Sequence, residues 1–151
     1  MSRGAQISVI TLGPDSKNFE DNSLNLVIQG QLEEFAAEVE EELAKDIDEA
    51  ARIGVDAIRN LSPYHRGSGR GHYRTGWTYD LKRDGLGYVG AVIYNRNKPT
   101  LAHLLEYGHN IVRGGKLGKG GKVYGFVAAR EHIETGKQAA FQYLASKGWA
   151  A

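Results

Sequence analysis

The reactive groups available to this 151-residue chain are imidazole, carboxylate, hydroxyl and amine, because it holds five histidines and no cysteine. Thiol nucleophiles, disulfides and thiolate zinc sites are thereby excluded, and the compartment stays open. The densest cluster is His103-Leu-Leu-Glu106-Tyr-Gly-His109. On a helix His103 and Glu106 share a face, and an imidazole with a carboxylate at that spacing can share a divalent metal. A zincin instead needs two histidines four apart around a glutamate, and His109 lies beyond the Gly108 stop, so a subunit-contact role ranks above metal binding. No serine sits in a G-x-S-x-G elbow, and His65, His72, His103, His109 and His132 stand in no recognisable triad arrangement.

Two glycine-rich stretches invite a phosphate reading: Arg66-Gly-Ser-Gly-Arg-Gly71 and Gly114-Gly-Lys-Leu-Gly-Lys-Gly-Gly121. Neither has the residue order of a P-loop, and neither follows a strand that feeds a helix. In the second, Arg113, Lys116, Lys119 and Lys122 recur every three residues. Such a segment can touch a nucleic-acid backbone, which makes a nucleic-acid-binding module the alternative function. The plainer reading is a loop that is mobile in the isolated chain and ordered by a protein partner.

The elements that must position these groups follow from periodicity. Residues 1–30 read as an amino-terminal arm with one or two short strands, Ile7–Leu12 and Leu24–Ile28, and residues 31–151 as a single α+β domain. From Gln31 the spacing of Leu32, Phe35, Val39, Leu43, Ile47, Ala50, Gly54, Ala57 or Ile58, and Leu61 predicts one amphipathic helix over 31–61, about 46 Å long. Pro63 stops it. Tyr73, Thr75, Trp77, Tyr79 and Leu81 alternate with smaller or polar residues, and Gly87 to Asn95, which includes Ile93, is β-prone. The pair predicts an antiparallel hairpin over an Asp84-Gly85 turn. Pro99, Leu101, Leu104, Leu105 and Gly108 mark a short helix, Val123 to Val127 a third strand, and Ala128 to Ser146 a closing helix in spite of Gly136. The predicted fold class is α+β, a long N-terminal helix packed on a small antiparallel sheet, with a short helix and a C-terminal helix. Its core is expected to include Phe35, Val39, Leu43, Trp77, Tyr79, Ile93, Leu104 and Leu105.

Charge is divided along the chain. Residues 1–62 hold thirteen Asp/Glu against five Lys/Arg, a net −8, and residues 63–151 hold five against fourteen, a net +9. The carboxylates of Glu33, Glu34, Glu38, Glu40, Glu41 and Glu42 outnumber the nearby Lys45, so they are solvated, line a passage for DNA, or meet a neighbour's basic surface. No apolar run approaches the ~20 residues needed to span a bilayer, so no membrane association is expected.

The order Tyr73-Arg-Thr-Gly-Trp77, Val92-Ile-Tyr-Asn95, Leu101-Ala-His-Leu-Leu-Glu-Tyr-Gly-His109 and a Gly/basic loop resembles the tail-completion, or head-tail joining, proteins of long-tailed bacteriophages over roughly residues 63–147. The chain departs from that pattern at Gly125-Phe-Val-Ala-Ala-Arg-Glu131, which lacks the family's prolines. The resemblance implies a virion structural protein rather than an enzyme, with no cofactor or metal, assembled in the host cytoplasm and located in the neck of the tail. It implies a homo-oligomeric ring, hexameric or matched to the connector, that meets the head connector or adaptor and the tail terminator or tube while packaged DNA passes through. The residues expected at subunit or partner contacts are Glu38, Glu41, Glu42, His103, Glu106, His109, Arg113, Lys116, Lys119 and Lys122.

Overall fold

Apolar residues alternate along Ala5–Leu12 and again along Asn25–Leu32, and both stretches are strands, β1 and β2. They pair antiparallel from Ala5↔Leu32 to Leu12↔Asn25. The computed structural model describes residues 4–12, 24–34, 36–63, 72–99, 101–113 and 122–149, and gives the backbone alone for His103 and for 109–113 and 122–127. The segment expected as an amino-terminal arm is therefore built into the sheet. β2 lies at its centre with Leu26 and Ile28 fully buried, because its period-two apolar residues face the helices while both backbone edges are paired. Leu32, which also fits helical spacing, belongs to β2, and this shortens the helix predicted over 31–61.

That helix, α1, spans Ala37–Leu61. Leu43, Ile47, Ala50, Gly54 and Ile58 are buried along one face at three- and four-residue steps. It ends at Ser62, whose extended backbone suits the following Pro63 and whose hydroxyl donates to the Ile58 carbonyl at 2.6 Å. The hairpin consists of β3, Trp77–Arg83, and β4, Tyr88–Asn95. β3 starts at Trp77 rather than Tyr73, because Arg74–Gly76 form a 3-10 turn in which the Gly76 amide donates to the Tyr73 carbonyl at 3.1 Å. In the connecting loop Gly85 and Gly87 have φ of +73° and +93°, and the Asp84 carboxylate accepts from the Leu86 and Tyr88 amides.

The four strands lie in the order β1-β2-β4-β3, all antiparallel, with α1 against β4, β3 and β2 on the same face as the C-terminal helix. A short helix, α2, covers Leu101–Tyr107 and stops at Gly108, where φ is +80°. Two strands of a separate sheet follow, β5 (His109–Arg113) and β6 (Lys122–Val127). The Gly/basic segment expected as a loop over 111–122 is thus paired strand at both ends, Ile111–Arg113 in β5 and Lys122 in β6, and residues 114–121 lie outside the described residues. The strand predicted over 123–127 pairs with β5 in this second sheet rather than joining the main hairpin. The closing helix, α3, is Ile133–Ser146 and packs on α1 and β1.

Gly136 has a packing role. A Cβ there would stand 2.4 Å from Ile58 Cγ1 and 2.9 Å from the Gly54 carbonyl oxygen, so α3 crosses α1 where only glycine fits. Beyond α3, Trp149 is buried and its indole N–H donates to Asp46 on α1 at 2.8 Å. Leu43, Trp77 and Ile93 are fully buried; Val39, Tyr79 and Leu105 pack against them half-buried, as Leu104 is, and Phe35 lies outside the described residues. No described helix is long and apolar enough to cross a membrane.

Candidate functional site

α3 begins without a cap of its own. His132 occupies the N-cap position and makes no side-chain capping bond, which leaves the first amides of the helix to be satisfied from elsewhere. Glu106 supplies the acceptor from α2. Its Oε1 accepts from the His132 amide at 2.8 Å and the Ile133 amide at 2.9 Å, and Oε2 accepts from the Glu134 amide at 3.1 Å. The carboxylate also lies 3.0 Å from His132 Nδ1. Burial pushes its pKa up, but the hydrogen bonds from the His132 ring and from the three amides outweigh that and hold it at about 2. A negative group at the positive end of α3 adds to the same effect.

The imidazole continues the network. His132 Nδ1 faces two acceptors, Glu106 and the Arg130 carbonyl at 2.6 Å, so it carries the proton in the assigned tautomer. Nε2 then accepts from the Tyr73 hydroxyl at 2.6 Å. Burial, with the Glu106 charge second, drives the Tyr73 pKa far above its ordinary value and keeps the phenol a donor. The rings of Tyr73, Trp77 and His132 meet edge to face, with centroids 5.5 to 6.1 Å apart. Trp77 and His132 are both 0% exposed. An imidazole so enclosed orders its neighbours and has no solute within reach.

The other motif residues are fasteners as well. Asn95 Nδ2 donates to the Tyr73 carbonyl at 2.6 Å, and its Oδ1 accepts from the Asn97 and Lys98 amides. A Cβ on Gly76 would lie 2.4 Å from Asn95 Oδ1, which explains glycine before Trp77. Arg74 forks onto the Ser62 carbonyl and Arg59 onto the Trp77 carbonyl, tying the end of α1 to the hairpin.

The residues expected at contacts are dispersed. Glu106 is 6% exposed, with both oxygens engaged inside the chain. His103 lies in α2, His109 and Arg113 in β5 and Lys122 in β6, while Lys116 and Lys119 lie outside the described residues. Glu38, Glu41 and Glu42 are exposed on the first turns of α1. Local pairing there is greater than the single Lys45 suggested, because Arg83 reaches from β3 to Glu41 at 2.8 Å and to the buried Glu40 at 3.6 Å. Among the described residues no three metal-ligating side chains converge. Sequence reasoning missed His132, Asn95 and the Asp46–Trp149 pair; an uncapped helix start at 132–133 was the one available signal for the first.

These features define an α+β protein in which Tyr73, Trp77, Asn95 and Glu106 of the signature are buried fasteners of one fold. A family described as "Bacteriophage HK97-gp10, putative tail-component" matches residues 27–108, more than half of the chain, and the chain belongs to this HK97-gp10-like family. The match runs from β2 through α1 and the hairpin to Gly108, so it takes in the long helix and ends before the basic segment. No curated protein and no solved structure matches the chain. Family membership makes the protein a bacteriophage tail component with a structural place in the virion.

Proposed function

We propose that the protein is a ring-forming subunit of the phage neck that completes the tail and joins it to the head connector, with a structural rather than catalytic role. The observation that carries this reading is the division of charge between residues 1–62 and 63–151. Glu106, Tyr73, Trp77 and Asn95 are engaged internally, while Glu38, Glu41 and Glu42 are exposed on α1 and residues 63–151 carry a net +9 in the sequence. A ring built head-to-tail needs two different complementary patches on every subunit, and opposite charges on separate segments meet that need.

In this reading Glu38, Glu41 and Glu42 meet the neighbouring subunit or line the DNA passage. His103, His109, Arg113, Lys116, Lys119 and Lys122 belong to faces that meet a neighbour, the connector or the tail terminator. The ring is hexameric or matched to the connector, and it assembles in the host cytoplasm before residing in the virion neck.

The test is light scattering on purified protein, followed by complementation of a phage lacking the gene. A ring in solution, and restored joining of filled heads to tails, are expected. Monomers that bind duplex DNA with a steep salt dependence, and no joining defect in the deletion, would replace the reading with a nucleic-acid-binding one.

A further inference from the structure

The main sheet has two outer strands of unlike character. β1 reads Ala-Gln-Ile-Ser-Val-Ile-Thr-Leu over eight residues, with no charge, proline or bulge in its pairing to β2. Outer strands that stay unpaired are ordinarily blunted by those devices. Among the described residues no strand pairs with the far side of β1 or of β3. Beside β1 a cleft of about 230 Å³ opens towards α3, lined by Val9, Lys137, Gln138, Phe141 and Gln142. Phe141 is 41% exposed there.

At the opposite edge, β3 presents a matching projection. Trp77 is buried on the helix-covered face, Tyr79 on that face donates to Asp48 of α1, and Arg83 reaches Glu41 of α1. Leu81 shares their parity and lies on the same face, yet it is 44% exposed. The acidic first turns of α1 flank it, since Arg83 of β3 pairs with Glu40 and Glu41, whereas Lys137 flanks the cleft beside β1.

Strand direction completes the match. Every neighbouring pair in the order β1-β2-β4-β3 is antiparallel, so β1 and β3 run in opposite senses. A second copy set alongside with its helices on the same face would offer β3 antiparallel to β1, the sense in which a hydrogen-bonded ladder continues.

We propose that copies of this chain join by pairing β3 of one with β1 of the next, with Leu81 seated in the Val9–Phe141 cleft. The contact is heterologous, because each subunit uses one edge as donor and the other as acceptor, and it is the interface that strand addition uses elsewhere. This deepens the ring reading and rests on it: it names the surface by which subunits meet.

Two variants close one edge each, Leu81→Glu on β3 and Phe141→Glu on α3 in the cleft beside β1, at positions exposed enough for the fold to survive; circular dichroism and tryptophan fluorescence verify that it does. Light scattering on the full chain should show an assembly for the wild type and monomers for each variant, with association weakened at least tenfold. An equimolar mixture should give a dimer of twice 16.5 kDa and nothing larger, since each variant retains the edge that the other has lost. Variants that assemble like the wild type would overturn the edge pairing while leaving the ring intact. Monomeric variants whose mixture fails to dimerise would also overturn it. A wild-type chain that stays monomeric at its highest soluble concentration would remove the ring and this interface together.

Discussion

Glutamates serve opposite ends in two regions of this molecule. In the cluster around His132, the Glu106 carboxylate is enclosed, accepts from three amides and holds α2 onto the start of α3. On the first turns of α1, Glu38, Glu41 and Glu42 stand in solvent, and the ion pair of Glu41 with Arg83 joins side chains that are 71% and 39% exposed. The same functional group is worth several kcal/mol where water is excluded and its partners are fixed, and about 0 to 1 kcal/mol per pair where it is not. The enclosed cluster therefore bears on stability, and the acidic face contributes little to it.

The largest test of that division lies in the enclosed cluster. Trp77→Ala removes a fully buried ring packed on Tyr73 and His132, and should cost about 3–5 kcal/mol in denaturant unfolding. An unchanged midpoint would mean that the hairpin does not depend on this packing, and the comparison would fail. Glu106→Ala comes next, with a loss of about 3 kcal/mol at neutral pH, because three amides at the start of α3 lose a charged acceptor.

The same carboxylate gives a pH signature. Its pKa falls from the ordinary carboxylate range in the unfolded chain to about 2 in the folded one. Its contribution is fully present above about pH 4.3, the unfolded value, and is lost as pH falls through the folded one. Over that window the wild type should lose about 3 kcal/mol that Glu106→Gln does not lose. Parallel stability curves for the two proteins would show that the carboxylate is solvated after all.

A smaller effect is expected where α3 crosses α1. Gly136→Ala pushes a methyl against Ile58 and the Gly54 carbonyl, and overpacking of this kind costs about 1–3 kcal/mol, readable as a lower melting temperature. The smallest change in stability should come from reversing Glu38, Glu41 and Glu42 to Lys together, less than about 1 kcal/mol, because all three are exposed. In that variant association should slow, in the direction in which added salt slows the wild type. Full infectivity with unaltered assembly would reduce the acidic face to ordinary solvated charge.

Signals that act over a few residues were readable in advance. Pro63 ends α1, Gly108 with its positive φ ends α2, and the alternation around Trp77 and Ile93 yields the hairpin. Leu32 shows the limit of periodicity: it fits both a two-residue and a four-residue step, and only the partners on either side of β2 decide for a strand. The start of α3 was misplaced for a related reason, since its cap comes from another element.

From its sequence alone, then, this chain specified an α+β class, the antiparallel hairpin, the two helix stops, the division of charge and the resemblance to phage tail proteins. The tertiary structure alone decided that the strand at 25–32 runs on to Leu32 as an inner strand of the main sheet, that Glu106 turns inward, that Gly136 permits a helix crossing and that Trp149 is anchored to Asp46. The physical reason is reach. Backbone sterics and side-chain periodicity act between neighbours, whereas Glu106 and the His132 amide are separated by 26 positions, and Trp149 and Asp46 by 103. Which buried donor meets which acceptor at those separations is determined only when the layers pack and every amide left without water must find a partner.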